Sequence, residues 1–282
     1  MQCASVDSFK DIEKGKVMHN NVDELFGQLW QQYLQVTPSA KKICQLLGNG
    51  EEIINDHIAL RTFNIAKVNL EVLAEHFKKV GYEEKGQYNF EAKKLSAKHF
   101  EHSDPDQPKV FISELRVEEC SPELQAIVTD LVAQVDESVT SAAEFVYNGA
   151  PWKLSKADYQ TLISESEYAG WTAAWGYRAN HFTVHVNKLS GYTDLESVNE
   201  ALKAADYRLN VSGGEIKGSE EVLLKQSSTM ADKAIATFSD GELEIPSCFY
   251  EFAERFNLQN GQEYTGFVAA SADKIFESTN VA

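Results

Sequence analysis

No stretch of this 282-residue chain approaches the ~18 consecutive apolar residues that suggest a membrane-crossing helix. The opening MQCASVDSFKDIEKGK has no apolar segment of the kind a secretory signal carries. Cysteine is scarce and scattered. Cys3, Cys44, Cys120 and Cys248 provide no CxxC pair for a zinc or redox motif, and they suit a reducing compartment. Positive charge is also short. With 26 Lys and Arg against 43 Asp and Glu the net charge is −17, a surface that repels phosphate backbones and argues against nucleic acid as a partner. These absences predict a cytoplasmic protein. Residues 1–19 read as a polar tail, polar throughout 1–17, with Met18 as an alternative start.

What is present fits one large domain over residues 20–282. Residues 20–50 form a helical leader, with Val22, Leu25, Phe26, Leu29 and Trp30 at helical spacing and a glycine stop after SAKKICQLL. Residues 51–120 then run strand, helix, strands: HIALRTF (57–63), NLEVLAEHFKKVGY (69–82), a strand-forming stretch over 84–102 and PKVFISELRV (108–117). The same order returns over 179–260. HFTVHVN (181–187) alternates, DLESVNEALKAADY (194–207) is an amphipathic helix capped by Asp194, and 220–230 and 233–256 read as strands with a hairpin turn at Asp240-Gly241. Residues 121–178 are a helical insertion, lid or scaffold, in which Trp152, Trp171 and Trp175 read as core anchors. Residues 261–282 are left as a C-terminal tail.

The halves align as one unit used twice. His57 to Tyr82 spans 25 residues and His181 to Tyr207 spans 26. Each unit begins with an Asx-His pair, Asp56-His57 and Asn180-His181, and Arg61 occupies the position of His185. The other histidines, His19, His76, His99 and His102, read as surface or internally satisfied groups, the last two near an exposed hairpin end. His57 and His181 are different, because pseudo-symmetry brings the first strands of two repeats together. As strand residues four apart share a face, Arg61 lies on the side of His57, and His185 on the side of His181. Glu251 in FYEFAER (249–255) stands in an apolar, aromatic setting where a lone carboxylate needs a metal or a basic partner, such as Arg61 or Arg255. Glu254, of opposite parity, is the weaker candidate. Two histidines and one carboxylate with open positions suit non-haem Fe(II), but three ligands do not name the metal. If the register slips, His185 replaces His181.

DHIALRTF, NHFTVHVN and FYEFAER together resemble the DUF1338 family, which includes 2-oxoadipate dioxygenase/decarboxylases, and more distantly the vicinal oxygen chelate superfamily. The resemblance spans about residues 20–265. It implies an α+β fold in which the two repeats form a curved mixed sheet, a half-barrel. It implies metal ligands at His57, His181 and Glu251, and a substrate-binding arginine at Arg61. Gln226, in LLKQSST (223–229), faces the site, and His185 is placed to bond substrate or to support a ligand. Longer members carry Pro-Arg where this chain has Val184-His185. The implied reaction is oxidative decarboxylation of 2-oxoadipate by O2 on Fe(II), giving CO2 and 2-hydroxyglutarate, as in lysine breakdown. Another metal-dependent hydrolase or isomerase at the same residues, or a metal-free organic-anion binder, are the competing readings.

Overall fold

The computed structural model describes residues 18–280; the polar tail 1–17 lies outside them. Asn21 caps α1 (Val22–Val36) by accepting from the Glu24 amide, and Pro38 opens α2 (Pro38–Gly48). The first repeat follows as β1 (Asn55–Phe63), α3 (Leu70–Lys78), β2 (Tyr82–Phe90), β3 (Leu95–His102) and β4 (Lys109–Leu115). The insertion folds as α4 (Pro122–Ala133), α5 (Glu137–Thr140), α6 (Lys156–Glu165) and α7 (Glu167–Trp175). The second repeat is β5 (Ala179–His185), α8 (Leu195–Ala204), β6 (Lys217–Ser219) and β7 (Leu224–Ser228). A hairpin of β8 (Lys233–Phe238) and β9 (Gly241–Pro246) then precedes β10 (Phe249–Arg255). No helix among the described residues is long and apolar enough to cross a membrane.

Eight strands form one mixed sheet in the order β2-β3-β4-β1-β5-β10-β7-β6. That order is symmetric about the β1–β5 junction. In each half the first and last strands pair in parallel, β1 with β4 and β5 with β10, and the others add antiparallel outward. The internal repeat is thus a real pseudo-twofold. The second half differs by the β8–β9 hairpin, which turns at Ser239-Asp240 as Asp240-Gly241 predicts but stands apart as its own two-stranded sheet.

Strand parity sorts the core. Phe182 on β5 and Tyr250 on β10 face α1, where the Trp30 and Tyr33 rings pack on Phe182 at 4.8 and 5.0 Å, so the leader covers the convex side of the sheet. The insertion packs on the other side through α7. The Tyr168 hydroxyl on α7 receives the Thr62 amide of β1 and donates to the Ser113 carbonyl of β4. Trp171 and Trp175 donate their indole N–H groups to the carbonyls of Ser247 and Pro246, and Trp152 donates to Ala173, so all three are anchors. Gly176 ends α7 at φ +61°, and a Cβ there would stand 2.3 Å from the Ala150 backbone. Gly176→Ala is expected to cost about 3 kcal/mol, read by urea unfolding, because strain at a positive φ adds to a clash with main chain that cannot retreat.

Two expectations change. The segment left as a tail folds: residues Ala269–Ile275 form α9, continued by a 3-10 turn at Phe276–Thr279, and the pair packs over the concave face. Its apolar residues are few and irregularly spaced, so periodicity does not reveal it. His99 is buried rather than near the surface, between the Tyr88 hydroxyl and the Glu101 carboxylate. His19 and His76 are buried as well, bonded to the Tyr147 hydroxyl and the Thr140 carbonyl.

Candidate metal centre

Two β-bulges at the β1–β5 junction build the centre. Asn55 pairs with Val184 and His57 with Thr183, so Asp56 is an extra residue on β1. Ala59 pairs with His181 and Leu60 with Ala179, so Asn180 is an extra residue on β5. Each bulge falls on the Asx of an Asx-His pair. It lets two neighbouring residues, which a regular strand would point apart, work together. Oδ1 of Asp56 lies 2.6 Å from Nδ1 of His57, and Oδ1 of Asn180 lies 3.1 Å from Nδ1 of His181. An Asx oxygen that accepts from Nδ1–H fixes the tautomer and leaves Nε2 of each ring with a free lone pair.

Those two Nε2 atoms meet Glu251. On β10, Glu251 pairs with Thr183, the same residue that faces His57 from the other side. One oxygen of Glu251 lies 3.6 Å from His57 Nε2, and the other 3.1 Å from His181 Nε2. The three ligand atoms lie within 4.8 Å of one another. Both rings are buried, 5.6 Å between centroids and 84° apart. Gln226 on β7 donates to Oε1 of Glu251 at 2.5 Å, and the Thr183 hydroxyl sits 3.1 Å from His57 Nε2. Oε2 of Glu251 is buried and receives no hydrogen bond. Burial pushes His57 down to about 4 and holds His181 well below the usual histidine range, so both rings are neutral. Burial also lifts Glu251 to about 8. Two imidazole nitrogens and a carboxylate converge here, and the Glu251 Oε2 among them receives no hydrogen bond, which makes a poor apolar core and a good cation site. Two neutral imidazoles with one carboxylate fit a divalent transition metal, and a cation reverses the penalty on Glu251.

The remaining candidates separate. Glu254 points to the other face and accepts from the Leu195 amide at the start of α8. Gln226 faces the chamber beside the triad. Arg61 shares the face of His57 but is 1% exposed, with Nη1 on Glu167 at 3.0 Å and Nη2 on the Thr279 hydroxyl at 3.1 Å. Its guanidinium stacks on Tyr168, Trp171 and Phe276. His185 does not reach the chamber. Its Nε2 lies 3.2 Å from Glu263 and 3.7 Å from Asp56, which places it behind the His57 support and not over the metal position.

Sequence reasoning passed over Asp56 and Arg255 as working residues. Arg255 donates Nε and Nη2 to Asp56 at 2.5 and 2.8 Å, both side chains being fully buried. Burial alone would raise the Asp56 carboxyl, but Arg255, Lys109 and the bond from His57 outweigh it and hold Asp56 well below the carboxylate range. The repeated Asx-His dipeptide was the available signal.

The chain matches the family model described as 2-oxoadipate dioxygenase/decarboxylase over residues 20–264. The chloroplastic/amyloplastic 2-oxoadipate dioxygenase/decarboxylase of Oryza sativa subsp. japonica is 37% identical, over 88% of this chain and 76% of that protein. A crystal structure from Shewanella frigidimarina, described as a putative hydrolase, is 64% identical with TM-score 0.87, covering 90% of this chain and all of that one. The Oryza sativa hydroxyglutarate synthase, crystallised with 2-oxoadipate, is 33% identical with TM-score 0.82, covering 97% and 98% of the two chains. A putative glyoxalase superfamily protein from Ralstonia eutropha, 22% identical with TM-score 0.68 over 87% and 85% of the chains, shares the fold. With a curved eight-stranded α+β sheet built from two equivalent halves, and with a model match across most of its length, this chain belongs to the 2-oxoadipate dioxygenase/decarboxylase family.

Proposed function

We propose that this protein is a non-haem Fe(II) dioxygenase/decarboxylase that converts 2-oxoadipate and O2 to 2-hydroxyglutarate and CO2 in lysine catabolism. The observation that carries the reading is the convergence of His57 Nε2, His181 Nε2 and Glu251 in a buried chamber. A family relative crystallised with 2-oxoadipate supports the substrate. When bound, Fe(II) supplies open positions for a 2-oxo acid and the electrons that activate O2. The chain's own groups do the rest. Asp56 and Asn180 fix the two imidazoles, and Gln226 holds Glu251. Arg61 is the partner for the distal carboxylate, since a guanidinium meets a carboxylate with two parallel bonds where lysine offers a point charge. Phe111, Phe267 and Ile275 line the chamber and keep water from the reacting acid. His185 acts only through Glu263 and Asp56.

We also propose that residues 20–282 act as one catalytic domain, as the sheet joins both repeats. The free, buried Cys120 and Cys248 thiols fit a reducing compartment, of which the cytoplasm is the one we propose.

A metal-dependent hydrolase at the same triad is the second reading, favoured by the description of the Shewanella relative. One experiment separates them. Fe(II)-loaded protein given 2-oxoadipate is expected to consume O2 and release CO2 in equal amounts, measured by electrode and CO2 trapping, while His57→Ala does neither. Metal bound without O2 uptake would overturn 2-oxoadipate as the substrate and leave the metal site standing.

A further inference from the structure

The chamber beside the triad has a volume of about 20 Å³. That is room for about one water, far below the ~300 Å³ of an ordinary small-molecule pocket. The protein's own C-terminal segment forms one side of it, with Phe267, Ala272, Ile275 and Phe276 as walls. A buried arginine holds the segment at each end. Arg255 donates Nη1 to the carbonyls of Tyr264 and Gly266, each at 2.9 Å. Arg61 donates Nη2 to the Thr279 hydroxyl and stacks on Phe276, 5.5 Å from the ring centroid.

The two ends are held differently. Arg255 is locked to the buried carboxylate of Asp56. Arg61 has as counter-charge the Glu167 carboxylate, whose side chain is 20% exposed, and its Nε is buried without an acceptor. The Arg61 end therefore has an unfilled donor and a partner that solvent can take over.

The position of Phe276 gives this a ligand. His57, Ala59 and Arg61 share one face of β1, the first and last about 13 Å apart along the strand. Ala59, between them, has almost no side chain and lines the chamber. Phe276 lies against the chamber on one side and Arg61 on the other. It also borders an outer cavity of about 240 Å³ that is lined by Glu167, Lys93 and Lys94.

We propose that Phe276 and Thr279 occupy the berth for the distal half of a dicarboxylate, and that Glu167 is a further specificity-determining residue because it opposes the second anion on Arg61. The proposal rests on reading Arg61 as the carboxylate partner. The incoming carboxylate takes Nε and Nη2 of Arg61 and releases the Thr279 hydroxyl. Phe276 moves towards the outer cavity, and Glu167, now sharing one guanidinium with the incoming carboxylate, loosens. A 2-oxo monoacid of equal length displaces Phe276 but gains nothing from Arg61.

The test is anaerobic calorimetry on Fe(II)-loaded protein with 2-oxoadipate and with 2-oxohexanoate. Glu167→Gln is expected to tighten 2-oxoadipate about fivefold, the worth of one partly exposed ion pair, and to leave 2-oxohexanoate within about twofold. Phe276→Ala is expected to tighten both acids. Trp171, whose ring lies 4.9 Å from the Arg61 guanidinium, reports the exchange. Its emission is expected to shift with the diacid and not the monoacid, and Trp171→Phe removes the signal. If Glu167→Gln weakens 2-oxoadipate, or moves both acids equally, Glu167 merely orients Arg61 and the proposal is overturned. The Arg61→Ala control tells the two failures apart. If it leaves 2-oxoadipate affinity unchanged, the reading of Arg61 falls and this proposal with it. If it weakens 2-oxoadipate while Glu167→Gln does nothing, only this proposal falls.

Discussion

Glu251→Gln protein is expected to bind no Fe(II) at concentrations that saturate the wild type, and to lose about a thousandfold or more of its O2 consumption with 2-oxoadipate. Glutamine keeps the shape of the side chain, and its amide oxygen can still accept from Gln226 Nε2, now 2.5 Å from Glu251. What it removes is the anion that faces His181 at 3.1 Å and His57 at 3.6 Å. Metal-free protein then has no buried carboxylate to desolvate, so the variant should be at least as stable as metal-free wild type near pH 8. Thermal unfolding checks both halves of the argument. Metal at about a hundred times its Kd stabilises wild type by about 2.7 kcal/mol, and should not move the variant. A variant that still gains stability from Fe(II) would mean that the cation sits elsewhere.

Asp56→Ala has the second large effect, on stability first. Asp56 is the counter-ion of Arg255, and both side chains are fully buried. Removing one partner of such a pair strands the other charge, which costs roughly 3–5 kcal/mol. The damage extends to the centre, since His57 loses the oxygen that holds its Nδ1 at 2.6 Å. Loss of such a support lowers metal affinity about 10- to 100-fold. The pseudo-equivalent Asn180→Ala is the control, because Asn180 orients His181 through a neutral amide at 3.1 Å and neutralises no arginine. It should share the loss of metal affinity and escape most of the loss of stability, as read by metal titration and urea unfolding. Equal destabilisation by both would show that the ion pair is not what holds this corner of the sheet.

Much of this was legible from the residues alone. Spacing and strand alternation located both repeats, and repeat equivalence chose His181 over His185. That choice agrees with the geometry: Ala59 of β1 pairs with His181, whereas His185 turns to Glu263. Parity also separated Glu251 from Glu254: the period of a strand is two, and with Glu251 lining the chamber Glu254 turns to the Leu195 amide at the start of α8. The mixed, curved sheet came from the family resemblance, and the observed strand order carries it.

Other features depended on contacts between residues far apart in the chain. A bulge is a mismatch between two strands, so Asp56 and Asn180 cannot be recognised as extra residues until β1 and β5 are paired. Arg255 is an ordinary strand residue until Asp56, 199 positions away, is placed against it. The C-terminal segment has no periodicity to announce it, and its helix forms by packing over a concave face that only the assembled sheet provides. Local pattern therefore determined which residues could serve as ligands and on which side of a strand each would lie. Tertiary pairing decided which of them meet, what holds them, and that residues 267–276 wall the chamber, because burial and long-range hydrogen bonds exist only once the two halves have joined.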